Sequence, residues 1–269
     1  MNKNPLTIKS VGKRYGKTVS APLVISDVTF DVKPGEIFGL IGLNGVGKTT
    51  LIKVILDLHQ STDGAVEIFN VDSKDHKSRR KLAYLPEKFM PSQLLHGEEF
   101  LELSVSSYGQ KLDIAKAREG AQKLQLDPDV LKSRVGKYSK GMGQKLGLLS
   151  VFLTNAPLLV LDEPMSGLDP RARVHLKDYM LAYRNKGHTI FFSSHILSDI
   201  DEICDRVGVI HGGGLKFLGT PVEMKKRFGN EILERAFLNC IDSTGDMSPE
   251  SLRKKAKKPA KKKAVKKKK

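Results

Sequence analysis

An α/β fold, with a mainly parallel sheet and helices on both faces, is predicted by three observations. Residues 42–50, GLNGVGKTT, join an apolar strand-like run, residues 37–41, to a stretch with helical apolar spacing, residues 51–58. Strand-type runs at 158–161, 189–193 and 206–211 alternate with helical patterns near 171–186 and 197–204. The run LLVLDEP, residues 158–164, is an apolar strand that delivers two adjacent carboxylates at its end.

Taken in order, residues 6–11 and 23–32 read as strands, the second with partial alternation. Pro34-Gly35 is a turn into the strand 36–41. Gly64 opens another strand pair with AVEIFN, and these early strands outside the parallel sheet are assigned to an antiparallel β subdomain. A polar, basic stretch follows at 72–81. From about 91 to 153 the chain becomes rich in Leu, Ala, Lys and Glu at helical spacing, which predicts a helical insertion. There is no internal repeat, so each chain carries one glycine-rich loop.

That loop fits G-x-x-x-x-G-K-[ST] in its strand–loop–helix setting. Its glycines let successive N–H groups point inward at phosphate oxygens, and the following helix adds its N-terminal partial positive charge. Lys48 would neutralise the β- and γ-phosphates, and the Thr49 hydroxyl would ligate magnesium. The core is therefore read as a phosphate-loop ATPase core. Asp162, at the carboxyl end of a buried strand, fits the magnesium-holding acid. Glu163 projects differently by strand alternation and fits a group that takes a proton from water. His195 follows the apolar strand FFSS. The residues alone leave it either an ordinary strand-end histidine or a group reaching a γ-phosphate.

A composition of 39% hydrophobic and 28% charged residues in 269 indicates a globular chain. No apolar run approaches the roughly 18–20 residues that span a bilayer, and MNKNPLTIKS lacks the apolar core of a signal peptide. Cys204 and Cys240 have no metal-type companions and read as reduced thiols. Of the net charge of +16, +12 lies in residues 251–269, which leaves +4 for residues 1–250.

The order of motifs resembles the ATPase subunit of ATP-binding cassette (ABC) transporters over residues 5–235. Tyr15 in KRYGK looks like the residue that stacks on adenine. Gly42, Leu43, Asn44, Gly45, Val46, Gly47, Lys48, Thr49 and Thr50 form the Walker A loop. YLPE, residues 84–87, stands in the place of the Q-loop, and YSKGM, residues 138–142, in that of the signature. Residues 158–163 are Walker B, SGLD at 166–169 is the D-loop, and His195 is the switch histidine. GTP at 219–221 follows a short hairpin, as is usual in such subunits. The domain is thus placed at 5–235, with a short connector at 236–250 and the Lys-rich tail at 251–269.

The resemblance implies ATP and Mg2+ as cofactors, with Thr49, Asp162 and Glu87 at the metal. It implies a head-to-tail dimer with a second ATPase subunit, identical or related. Ser139 and the Gly141 backbone would meet the γ-phosphate on the partner's Lys48, Asp169 would cross the dimer, Glu163 would be the general base and His195 the γ-phosphate sensor. A separate integral membrane permease would dock beside 84–97. Phe89, Met90, Leu94 and Leu95 would serve either that groove or the core. The subunit would be cytoplasmic, peripheral on the membrane, and YLPE with SKGM is similar to bacterial two-component exporters. Two motifs depart from the family pattern: at the Q-loop position Glu87 replaces Gln, and in the signature Tyr138 replaces Leu, Met142 replaces Gln and Lys140 replaces Gly, where it either draws phosphate or faces solvent.

LRKKAKKPAKKKAVKKKK has almost no apolar surface to bury, and like-charge repulsion predicts disorder. It reads as a solvated tail, as an anchor for anionic lipid, which is the preferred partner, or as a binder of nucleic-acid phosphates. The last use belongs to the alternative function, a non-transport ABC ATPase acting on ribosome or DNA.

Overall fold

The computed structural model describes residues 4–16 and 22–243; the predicted tail at 251–269 lies outside them. In chain order the elements are β1 (Leu6–Arg14), β2 (Leu23–Val32), β3 (Ile37–Ile41), α1 (Lys48–Ile55), β4 (Asp63–Ile68), β5 (Val71–Asp72), β6 (Leu82–Leu85), α2 (Gly97–Ser106) and α3 (Ile114–Lys123). They continue as α4 (Lys140–Leu153), β7 (Leu158–Asp162), α5 (Pro170–Asn185), β8 (Thr189–Ser194), α6 (Leu197–Ile203), β9 (Arg206–His211), β10 (Gly214–Gly219), α7 (Pro221–Arg227) and α8 (Leu233–Ser243).

Six strands form the main sheet in the order β10-β9-β3-β8-β7-β6. All neighbours pair in parallel except β10, which returns antiparallel along β9. The other four strands form the predicted antiparallel subdomain, β2-β1-β4-β5. Its last hairpin turns through Phe69 and Asn70, with φ of 50° and 64°, the left-handed pair that a two-residue hairpin turn requires.

Strand alternation sorts the parallel sheet's side chains onto two cores. Ile37, Ile41, Leu159, Leu161, Ile190 and Phe192 face the side covered by α4, α5, α6 and α8. Phe38, Leu40, Leu158, Val160 and Phe191 face α1 and the antiparallel sheet. There Phe30 of β2 stacks on Phe38, with ring centres 5.0 Å apart and planes 3° off parallel. Fully burying one such ring contributes about 1.5–3 kcal/mol. A backbone bond from Ser26 N–H to the Gly213 carbonyl, 2.8 Å, ties the antiparallel sheet to the β9–β10 turn.

The insertion at 91–153 is helical as predicted, with α2, α3 and α4, the last two linked through 3-10 turns at Pro128–Lys132 and Val135–Lys137. Two boundaries differ from expectation. The helix after the glycine loop starts at Lys48, inside the motif, and ends at Ile55 rather than at 58. Of the connector expected at 236–250, residues 244–250 lie outside the described residues, and residues 236–243 are the last eight residues of α8. They bury Ala236, Phe237, Cys240 and Ile241 on the core, an amphipathic pattern that the short polar sequence obscured. Both cysteines are free thiols.

Candidate active site at the ends of the parallel strands

β8 lies between β3 and β7, so the three segments that follow these strands emerge side by side at the carboxyl edge of the sheet. This edge is where parallel α/β sheets bind ligands. After β3 comes the glycine loop. Gly45 and Gly47 have φ of 79° and 108°, left-handed values that a side chain would strain. At Gly42 an added Cβ would lie 2.6 Å from the Ile210 carbonyl oxygen, so only glycine lets the loop leave the sheet there. The Leu51 N–H then donates to the Gly47 carbonyl and starts α1.

Lys48 is buried, and its Nζ donates to the Gly42 carbonyl at 2.7 Å. The same ammonium lies 3.2 Å from Glu163 Oε1. Glu163 Oε2 in turn lies 2.8 Å from His195 Nδ1, whose ring is about half exposed. Glu163 sits just past β7 with φ of 49°, a left-handed conformation rare for glutamate. Its N–H donates to Ser193 Oγ at 3.0 Å, and that hydroxyl donates to Asp162 Oδ1 at 2.6 Å. One serine on β8 therefore holds the Asp162 carboxylate and the backbone of Glu163. Sequence reading passed over Ser193; its signal was a small hydroxyl residue ending an otherwise apolar strand opposite Asp162.

Asp162 is buried, and its second oxygen, Oδ2, has no hydrogen-bond partner. Desolvation pushes its carboxyl above the usual value of 3.8, the Ser193 and Thr49 hydroxyls oppose the shift, and Glu87 and Glu163 add to it. The nearby Thr49 hydroxyl eases the charge but leaves Oδ2 without a bond. An uncompensated buried carboxylate oxygen beside a hydroxyl is a donor set that suits a hard cation. Among the described residues no three His, Cys, Asp or Glu side chains cluster as a complete metal cage. A cation here would take the rest of its oxygens from phosphate and water.

The glycine loop, Glu87, Glu163, Ser166 and His195 line a cavity of about 330 Å³. A larger cleft of about 690 Å³, between α3 and α5, contains none of the residues expected at the site. Of the expected residues, Gly42, Val46 and Asp162 do not reach the wall of the phosphate cavity, and four others stand away from it. Tyr15 is exposed at the end of β1, its hydroxyl 3.0 Å from His59 Nδ1 and Lys13 over its ring. Ser139 is the N-cap of α4 and accepts from Met142 N–H at 3.2 Å, with Gly141 in the first turn. Asp169 caps α5 by accepting from Ala172 N–H at 2.9 Å. Of the apolar residues beside the Q-loop position, Phe89 belongs to the core, against Phe100 and the α4 residue Gly147. Met90 and Leu94 are 89% and 80% exposed, and Leu95 lines an open patch beside Glu98 and Glu99.

A glycine loop opening a helix after a central parallel strand, with a buried lysine and a strand-end carboxylate pair, defines a phosphate-loop nucleotide-binding protein. Residues 25–166 match the family model described as ABC transporter, just over half of the chain, and the chain belongs to that family. It is 36% identical over 196 residues to an uncharacterized ABC transporter ATP-binding protein of Nostoc sp., covering 72% of this chain and 58% of that protein. It is 35% identical over 227 residues to the bacitracin transport ATP-binding protein BcrA of Enterococcus faecalis, covering 81% and 70%. Matches to the relatives from Nostoc sp. and Synechocystis sp. span only 58% and 57% of those proteins' lengths. A solved ATP-binding subunit of an ABC transporter superposes with a TM-score of 0.79 at 34% identity, covering 87% of this chain and 98% of that one.

Proposed function

We propose that this chain binds and hydrolyses ATP as the engine subunit of an ABC transporter, driving a separate integral membrane permease in the direction of export. The carrying observation is the unbroken line of contacts from Lys48 through Glu163 to His195 at the phosphate loop. A phosphate entering the loop would compete with Glu163 for Lys48. Releasing Glu163 from that ion pair frees its carboxylate to accept a proton from the attacking water. His195, on the other carboxylate oxygen, orients Glu163 and is assigned to sensing the γ-phosphate. Asp162 and Thr49, with Glu87 at the cavity wall, would hold Mg2+, which supplies neutralisation of the phosphate charge when bound.

Ser139, Gly141 and Asp169 lie outside the cavity lined by their own loop, which supports a site completed by a second ATPase subunit, identical or related. Tyr15, exposed at the end of β1, is assigned to the adenine ring. No helix among the described residues is long and apolar enough to cross a membrane. Exposed Met90 and Leu94 are assigned to permease docking at the cytoplasmic face. The relative named for bacitracin transport supports export. Residues 251–269 are assigned to anionic lipid, on charge alone.

Glu163→Gln is the test. Turnover should fall by about 100-fold or more, the scale of a lost general base, while ATP still drives dimerisation in size-exclusion chromatography. Wild-type turnover in this variant would reject the assignment.

A further inference from the structure

Glu163 holds an uncommon backbone conformation, and such residues persist where the surroundings over-determine them. Ser193 fixes its N–H from the sheet side. A second grip comes from α4. Gln144, buried in the second turn, donates Nε2–H to the carbonyl of Pro164 at 3.3 Å, one peptide beyond Glu163. One turn earlier the Lys140 stem lies close to the open side of Gly167. A Cβ built there would lie 3.5 Å from Lys140 Cε and 4.0 Å from its Cδ. A Cβ on Gly141 would lie 3.6 Å from the Gly167 carbonyl oxygen. Between these contacts the loop is a compact turn, closed by Ser166 N–H on the Glu163 carbonyl at 3.0 Å. The first two turns of α4 thus hold the segment 163–167 by one hydrogen bond at Pro164 and approach it again at Gly167.

We propose that Gln144 is a positioning residue for Glu163, and that the Lys140 stem is a second clamp on the same loop. The start of α4 also carries Ser139 and Gly141, so displacement of this helix is transmitted through Pro164 to the carboxylate. The inference rests on Glu163 acting as the general base, as above. The nearness of its stem to Gly167 would give Lys140 a role that neither attraction for phosphate nor plain exposure to solvent would supply.

The experiment uses the full-length chain. ATP hydrolysis by the unchanged protein and its loss in Glu163→Gln test the underlying reading by themselves. Gln144→Met keeps the length of the side chain and removes the donor. Its kcat should fall roughly ten- to a hundredfold, as for a small misplacement of a reacting group. KM for ATP and the affinity for ADP should stay within about twofold, and the thermal midpoint within about 4 °C, the scale of one lost hydrogen bond. An unchanged kcat overturns the proposal, and so does a joint fall of kcat, ADP affinity and midpoint. Lys140→Met, which keeps the stem without the charge, should retain more of kcat than Lys140→Ala. Equal losses in the two, or no loss in either, overturn the clamp.

Discussion

Asp162 and Glu163 are neighbours in sequence and both buried, yet their surroundings divide the work between them. Glu163 has a cation on one oxygen and an imidazole on the other. Asp162 has a hydroxyl on one oxygen and nothing on the other, so its charge is desolvated without full compensation. Such a residue costs stability until a ligand satisfies it. Asp162→Asn should therefore raise the thermal midpoint of the nucleotide-free protein at pH 7, by at least about 2 °C. In the unchanged protein Mg2+ with ATP should raise the midpoint beyond ATP alone, and in Asp162→Asn that increment should vanish. A variant less stable than the parent without nucleotide, or one that keeps the Mg2+ increment, would refute this role.

Among the elements, α6 shows how backbone spacing sets side-chain placement. It starts two residues after His195 and packs flat on β3 at Gly39. A Cβ at Gly39 would lie 2.7 Å from Ile200 Cδ1 and 2.8 Å from Cys204 Sγ. Gly39→Val should displace α6, destabilise the fold by about 1–3 kcal/mol as an overpacked core does, and weaken hydrolysis by shifting His195. Denaturant unfolding and turnover check both; unchanged stability would show that α6 is free to yield. Contiguous chemistry was legible in the sequence: the glycine loop, the strand ending in Asp162 and Glu163, and the helical insertion all announce themselves within a few residues. What was not legible depends on distant partners. Ser193 acquires its role only because β8 pairs with β7, and Gln144 because α4 crosses behind Pro164. Likewise α8 looks like a connector until its apolar face meets the core.

At the scale of the whole molecule, charge is concentrated at one end of the sequence. Residues 251–269 carry +12 of the net +16. Polybasic segments gain about 1 kcal/mol per Lys or Arg near an anionic surface. Removing them should abolish sedimentation with vesicles containing phosphatidylserine while leaving ATP hydrolysis unchanged. Undiminished vesicle binding would exclude the lipid role, and a truncation that loses only DNA binding would favour the nucleic-acid alternative. The bond from Ser26 to Gly213 adds a mechanical consequence. It stitches the antiparallel sheet to the parallel one across the β9–β10 turn, and the stacked phenylalanines behind it make the two sheets a single stiff frame. The insertion, by contrast, leaves this frame after β6 and rejoins it at β7. Exposed Met90 and Leu94 thus belong to the part of the chain outside this frame, which α4 touches beside Pro164.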